Sequence, residues 1–364
     1  MSVHKHIFDD LFVLEMASNH QGNVDRGLRI IDQYSKIVRF NNVRCAIKLQ
    51  FRDMDNFVHK DFAERSDIRY VNRVNSTKLL KEEFARLVSA IKNSGCIPMA
   101  TPFDEKSVDW CVEFNMPIIK VASADNNDWM LLEKIAKTLK PVIVSTGGMT
   151  QKDLDDLVLF FEHRNIPLAL NHCVAAYPHE DSEAELNQID FLRERYPDHV
   201  IGYSCHEYHD WTTSIQIAYG KGARTFERHI DINDDGFEVA TYSSLPHQID
   251  AWFKAWHKAG EMCGNSSSQR RVPLAREIAY LDSYVRGVYV KNDLKKGDLL
   301  TEEDVYLAIP LQKGQISCRE LMLGKYGHRL LSDCVKDSPL TIDKIDTPYA
   351  NNPKLVEDIQ NRGL

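Results

Sequence analysis

Eight short apolar runs, rich in β-branched residues and bounded by turn formers, recur along the chain at 11–17, 43–51, 96–101, 117–122, 141–146, 167–173, 200–204 and 224–229. Runs of this length fit strands buried on both faces. Helical stretches separate them. In 77–93, Leu79, Leu80, Phe84, Leu87, Val88 and Ile91 form one apolar stripe at helical spacing. Segments 104–114, 128–139 and 152–163 repeat that pattern. Eight strands alternating with helices predict an α/β fold, a (β/α)8 TIM barrel. The competing open, doubly wound sheet needs a glycine-rich phosphate turn after its first strand. Here the first strand runs into Ser18-Asn19-His20-Gln21-Gly22-Asn23, so the barrel is preferred.

The texture changes beyond residue 263. A last barrel helix near 249–263 ends in the polar run 264–271, and a further helix is expected near 273–284. A short strand at 287–291, a Lys-Gly-Asp turn and the capping-box signature Thr301-Glu302-Glu303-Asp304 follow. The expected organisation is a barrel over 1–265, a linker over 266–285, a small β-rich domain over 286–347 and a polar tail over 348–364.

Composition narrows the function class. Of 364 residues, 43% are hydrophobic and 27% charged, which excludes a disordered or collagen-like chain. Lys and Arg number 45 against 53 Asp and Glu, a net charge of −8 that argues against nucleic-acid or membrane-surface binding. No apolar run reaches the roughly 18 residues of a membrane helix, and the first residues lack the features of a signal peptide. The 8 cysteines form no Cys-x-x-Cys pair, so a reduced, cytoplasmic protein is expected.

In a barrel, chemistry gathers at the carboxyl ends of the strands. The polar residues falling there are Glu15, Lys48, Gln50, Thr101, Lys120, Ser123, Asp125, Ser145, Thr146, His172, Tyr177, Ser204, His206, Glu227 and His229. Singly, each has an ordinary explanation as a cap, a turn former or a salt-bridge partner. Together, two lysines and several hydroxyls make a cradle for a phosphorylated anion. Histidines at the ends of the adjacent seventh and eighth strands could share a divalent metal.

The runs Glu15-Met16-Ala17-Ser18-Asn19-His20-Gln21-Gly22, Ile47-Lys48-Leu49-Gln50, Ala100-Thr101-Pro102-Phe103, Ile119-Lys120-Val121-Ala122-Ser123-Ala124-Asp125, Val144-Ser145-Thr146-Gly147-Gly148-Met149, Ile201-Gly202-Tyr203-Ser204-Cys205-His206 and Phe226-Glu227-Arg228-His229 resemble, in order and spacing, the sialic acid synthase family. So do His172-Cys173 and Tyr177-Pro178, and 288–345 resembles the antifreeze-like SAF domain of those enzymes. The resemblance implies condensation of phosphoenolpyruvate with an aldose, often an N-acyl hexosamine, to a 3-deoxy-2-ulosonic acid and phosphate, for surface glycans. It implies that Lys48, Thr101, Phe103, Lys120, Ser123, Ser145 and Ser204 hold phosphoenolpyruvate, that Tyr177 and Glu238 line the sugar site, and that Glu15, Asp125 and Glu227 serve the reacting centre. His206 and His229 would bind a divalent metal, Mn2+ before Mg2+ or Co2+. A domain-swapped homodimer is also implied, each small domain capping the partner's barrel.

The chain departs from the family pattern mainly on the sugar side. Cys205 stands where the family has aspartate, Ala175 where it often has asparagine, Glu238 where an aspartate is expected, and Asp125 where glutamate is common. Ile309 before Pro310 replaces the arginine that reaches the N-acyl group; Arg286 or Arg319 is a substitute. An acceptor other than N-acetylmannosamine is therefore expected. Two other classes compete: a Schiff-base aldolase using Lys48 or Lys120 as nucleophile, and a non-catalytic sugar-binding homologue.

Overall fold

The computed structural model describes residues 7–264, 269–323, 327–347 and 351–364; parts of the expected linker (266–268) and tail (348–350) lie outside them. The chain divides into two units, Met1–Asn265 and Ser266–Leu364.

In the first unit, β1 (Leu11–Ala17), β2 (Arg44–Phe51), β3 (Ile97–Pro102), β4 (Ile118–Val121), β5 (Val142–Ser145), β6 (Leu168–Cys173), β7 (Val200–Cys205) and β8 (Thr225–His229) pair in parallel and in sequence order. β1 pairs with β2 on one side and β8 on the other, which closes the barrel. This is a TIM barrel, as the apolar runs predict, and the open sheet is excluded. The outer ring is α1 (Val24–Asn41), α3 (Lys81–Asn93), α4 (Glu105–Glu113), α5 (Trp129–Ala136), α6 (Gln151–Glu162), α7 (Gln188–Arg195), α8 (Thr213–Gly220) and α9 (Pro246–Cys263), one after each strand; α2 (Arg69–Ser76) is an extra helix in the connection between β2 and α3. Asp104 caps α4 through Ser107 N and also accepts the Asp53 N–H at 2.7 Å, tying the loop after β2 to the barrel rim.

Side chains alternate across each strand. On β1, Phe12, Leu14 and Met16 pack outward beneath the helices. Leu11 and Val13 face inward with Ala46, Met99, Ile118, Ile143, Ala169 and Val200, an apolar floor. Two residues further along, the same inward rows carry Glu15, Lys48, Thr101, Lys120, Ser145, Asn171 and Gly202. Thr225 Oγ1 donates to Asn171 Oδ1 at 2.5 Å, and this pair fills the middle of the barrel. A Cβ on Gly202 would stand 1.8 Å from Thr225 Oγ1, so only glycine fits on that row. Floor and filler close the bottom; the next inward positions, Cys173, Ser204, Glu227 and His229, open upward.

The second unit holds α10 (Ala275–Asp282), the antiparallel pair β9 (Gly287–Val290) and β10 (Val305–Ala308), α11 (Cys318–Leu323), the pair β11 (Arg329–Leu330) and β12 (Ile345–Asp346), and α12 (Pro353–Asn361). Val288, Val290, Ile316, Leu330, Leu340 and Ile345 form its core. Ile359 of α12 is buried in that core, and Leu355 and Val356 pack on it. The stretch read from sequence as a polar tail is therefore in part an amphipathic helix of this unit. Its apolar residues fall at i, i+1 and i+4, too few to stand out in a polar sequence.

Candidate active site

A cavity of about 730 Å³ opens at the carboxyl ends of the strands. Its wall contains Glu15, Lys48, Thr101, Phe103, Lys120, Ser123, Ser145, Tyr177, Ser204, His206, Glu227 and His229. All eight strands or the loops that follow them contribute, so the period-two alternation and barrel closure bring these residues together.

The floor of the cavity is an interlocked charge cluster. Lys48 Nζ bonds a Glu15 oxygen directly and lies 3.1 Å from Glu227 Oε1 and 3.2 Å from Thr101 Oγ1. Lys120 Nζ lies 3.6 Å from the other Glu227 oxygen and donates to Ser145 Oγ at 2.5 Å. Glu15 Oε1 also accepts the Ala17 N–H at 2.6 Å. Both lysines are nearly fully buried, Lys48 at 3% and Lys120 at 1% exposed. Burial alone would lower the Lys48 pKa, but the charges of Glu15 and Glu227 raise it above the ordinary lysine value. For Lys120 burial prevails and the pKa is lowered, with Glu227 offsetting part of the shift. Burial works against the Glu227 carboxylate, yet Lys120 and Lys48 hold its pKa below the usual range.

Above this floor stand the two histidines, ring centroids 5.4 Å apart. His206 Nδ1 is engaged by the Val174 carbonyl at 3.0 Å, and among the described residues Nε2 makes no hydrogen bond. Among the described residues, His229 Nδ1 is buried with no hydrogen-bond partner. Burial, joined by His229, holds the His206 pKa at about 3; burial, joined by Lys48, holds that of His229 at about 3. Both rings are thus neutral and keep a lone pair at neutral pH. These are the properties of imidazole ligands, and a buried ring nitrogen without a hydrogen-bond partner is suited to hold a cation. Among the described residues, no group of three or more His, Cys, Asp or Glu side chains converges as a metal cage. A two-imidazole site leaves the other coordination positions to water and substrate. Tyr177 lies 4.1 Å from the His206 ring and Tyr242 5.1 Å from the His229 ring, walling the pair.

Beneath His206, Glu207 is buried and anchored. Arg228 Nη1 donates to Glu207 Oε1 at 2.9 Å and Arg228 Nη2 to the Glu207 carbonyl at 2.6 Å. This pair pins the loop after β7 and so fixes where His206 sits.

Two expected site residues are not brought into the wall. Asp125 ends a short 3-10 turn, Ser123–Asp125, half-buried beside the cavity, and among the described residues its buried Oδ2 has no hydrogen-bond partner. Burial, with Asp128 nearby, pushes its pKa up to about 7. Glu238 is exposed in the loop after β8 and does not line the cavity. Cys205, one of the departures, and His172, one of the strand-end polar residues, also fall elsewhere than their sequence context suggests. Cys205 points outward into the strand–helix layer, its thiol donating to the Glu227 carbonyl at 3.2 Å, because it occupies the opposite face from Ser204. His172 likewise turns outward to the Ala184 carbonyl at 2.8 Å. Conversely, Arg52, Arg69, Tyr70, Arg73 and Tyr242 line the cavity without having been singled out. Arg52 sits two residues past Gln50, on the same alternation that gives Lys48, so it was legible; the others come from α2 and the long loop after β8.

Comparison with known proteins agrees with this geometry. The NeuB family model matches residues 42–268. A solved spore coat polysaccharide biosynthesis protein E from Chromobacterium violaceum is 36% identical with a TM-score of 0.88, covering 93% of this chain and 99% of that one. An N-acetylneuraminic acid synthetase from Leptospira borgpetersenii is 26% identical with a TM-score of 0.65, covering 74% of this chain and 90% of that one. The pseudaminic acid synthase of Campylobacter jejuni is 26% identical over 80% of this chain and 85% of its own length.

Proposed function

The chain belongs to the NeuB family and is an enzyme of the sialic-acid-synthase kind, and on that premise we propose that it condenses phosphoenolpyruvate with an aldose to a 3-deoxy-2-ulosonic acid and phosphate. The observation that carries the reading is the cluster of Lys48, Lys120, Glu15, Glu227 and four hydroxyls at the floor of one cavity. Phosphoenolpyruvate carries its carboxylate and its phosphate ester on the same carbon. Two ammoniums and the hydroxyls of Thr101, Ser123, Ser145 and Ser204 supply donors for both groups. A Cβ on Gly147 would stand 2.6 Å from Ser123 Oγ, so glycine there leaves the serine hydroxyl its place.

Carbon 3 of the enol ester is a modest nucleophile, and it gains most from being held against the aldehyde in a fixed orientation. Its attack forms the carbon–carbon bond and leaves positive character at carbon 2. Glu15 and Glu227 face that region and stabilise it electrostatically. Water adds at carbon 2, one of its protons passing by way of a carboxylate to the alkoxide left by the aldehyde, and the tetrahedral adduct expels phosphate by cleavage of its carbon–oxygen bond, the remaining hydroxyl proton going to the phosphate as the ketone forms. Lys48 and Lys120 offset the charge of the leaving phosphate. A divalent metal, Mn2+ before Mg2+ or Co2+, is assigned to His206 and His229; when bound it supplies Lewis-acid polarisation of the sugar carbonyl. The aromatic wall of Tyr177 and Tyr242 suits the apolar face of a sugar ring. The second unit is assigned as an SAF-like domain and the assembly as a homodimer working in the cytoplasm on surface-glycan precursors.

Lys48, kept charged by two carboxylates, is a poor Schiff-base nucleophile. The test is a panel of aldoses and N-acyl hexosamines with phosphoenolpyruvate and Mn2+, read as released phosphate. Phosphate release that depends on one aldose supports the reading. Release with none, together with borohydride trapping of a keto-acid on lysine, favours the aldolase.

A further inference from the structure

The cavity carries more positive charge than its floor accounts for. Lys48 and Lys120 are balanced by Glu15 and Glu227. Three guanidiniums, Arg52, Arg69 and Arg73, also line it, and among the described residues none has an ion-pair partner. Their contacts are neutral. Arg52 Nη2 donates to Gln50 Oε1 at 2.8 Å and to the Tyr70 hydroxyl at 3.2 Å, and its guanidinium lies 4.0 Å over the Phe103 ring. Among the described residues, Arg52 Nε is buried with no hydrogen-bond partner. Arg73 Nε donates to Ser18 Oγ at 3.0 Å. Arg69 and Arg73 stand four apart on α2, hence on one face of it.

The depth of the charges differs. The lysines are buried, whereas Arg52 and Arg73 are half-buried and Arg69 is exposed. The arginines therefore form the outer part of the wall and the lysines its floor. Planar guanidiniums engage phosphate and carboxylate with paired hydrogen bonds.

Resting on the condensation reading, we propose that the acceptor sugar carries an anionic group, phosphate or carboxylate, at the end remote from its aldehyde, and that Arg52, Arg69 and Arg73 bind it. The aldehyde must meet carbon 3 of the enol ester at the floor. The far end of a six-carbon sugar then lies toward the mouth, where the unpaired guanidiniums are.

The experiment compares neutral hexoses and N-acylhexosamines with their 6-phosphates and their uronic acids. The readouts are phosphate release from phosphoenolpyruvate with Mn2+ and thermal stabilisation of the protein by the sugar alone. The wild type is expected to use one anionic series with kcat/KM at least about tenfold above its neutral parent, the size of one charge-assisted contact. Preference for the 6-phosphate or for the uronate identifies which anion the site takes. In the Arg69→Ala/Arg73→Ala variant, the acceptor KM rises about tenfold or more and the KM for phosphoenolpyruvate stays put. Thermal stabilisation by the anionic sugar is lost in the same variant. Equal use of neutral and anionic acceptors overturns the proposal, as does a rise in the phosphoenolpyruvate KM in place of the acceptor's. If no sugar turns over but anionic sugars alone stabilise the wild type and not the variant, the anion site stands and only the condensation reading falls. If no anionic sugar stabilises the wild type and none turns over, the site falls as well.

Discussion

Lys48 on β2 reaches across β1 to lie 3.1 Å from Glu227 on β8, so that one carboxylate serves two buried ammoniums from non-adjacent strands. Removing one member of such a cluster leaves buried charge uncompensated, which costs about 3–5 kcal/mol in comparable pairs. Glu227→Gln is accordingly expected to lower thermal stability while the far-UV circular dichroism spectrum keeps its native shape. Its kcat/KM should fall by about 100-fold or more, the scale of a lost electrostatic stabiliser. Near-normal turnover in that variant would remove Glu227 from the chemistry.

The histidine pair gives a separate test. With both rings neutral, a divalent ion needs no proton displaced to bind. Extensive dialysis against a chelator should abolish turnover, and added Mn2+ should restore it. Calorimetric titration of His206→Ala/His229→Ala with Mn2+ should show no site, with the fold intact. Retained Mn2+ affinity in that variant would place the metal elsewhere.

Asp125 predicts a pH signature in stability. Its pKa is raised by burial, with Asp128 adding to it, from an ordinary 3.8 to about 7. Between those values the folded protein holds a proton that the unfolded chain has released, so stability falls as pH rises through the window. Asp125→Asn removes that loss. The melting temperature of the variant should therefore exceed that of the wild type by more at pH 8 than at pH 4, measured without ligands. A constant difference across that range would mean that Asp125 ionises normally.

The barrel filler is testable at one atom. A methyl at residue 202 collides with the Asn171–Thr225 pair. Gly202→Ala should cost about 1–3 kcal/mol, typical of an overpacked core, and Thr225→Ser should not relieve it, because the hydroxyl remains. Thr225→Ala in the same background should recover part of the loss. Denaturant titration of the single and double variants reads both effects.

Much of this was legible in the chain. Strand positions such as 11–17 and 200–204 stood out because barrel strands are apolar on both faces, and a period of two then assigns Lys48, Thr101 and Ser204 to the interior. The same rule carried Cys205 and His172 outward, which motif position alone does not reveal. What sequence could not give was depth and loop path. Glu238 falls on an exposed turn and Asp125 just outside the wall, while Arg69 and Arg73 arrive on α2, a helix whose polar sequence lacks a long apolar stripe; only Val74 is buried. Loops after strands follow no period, so their contribution to a site emerges only in three dimensions.

The central claim is that the floor of this barrel is built to hold phosphoenolpyruvate. Calorimetric titration of the metal-free protein with phosphoenolpyruvate, with no sugar present, tests it most directly. The account predicts one site per chain in the wild type and an affinity at least about tenfold weaker in Lys48→Ala and in Lys120→Ala, as expected for losing a charged hydrogen bond. Absence of binding to the wild type, or equal binding to all three proteins, would contradict it.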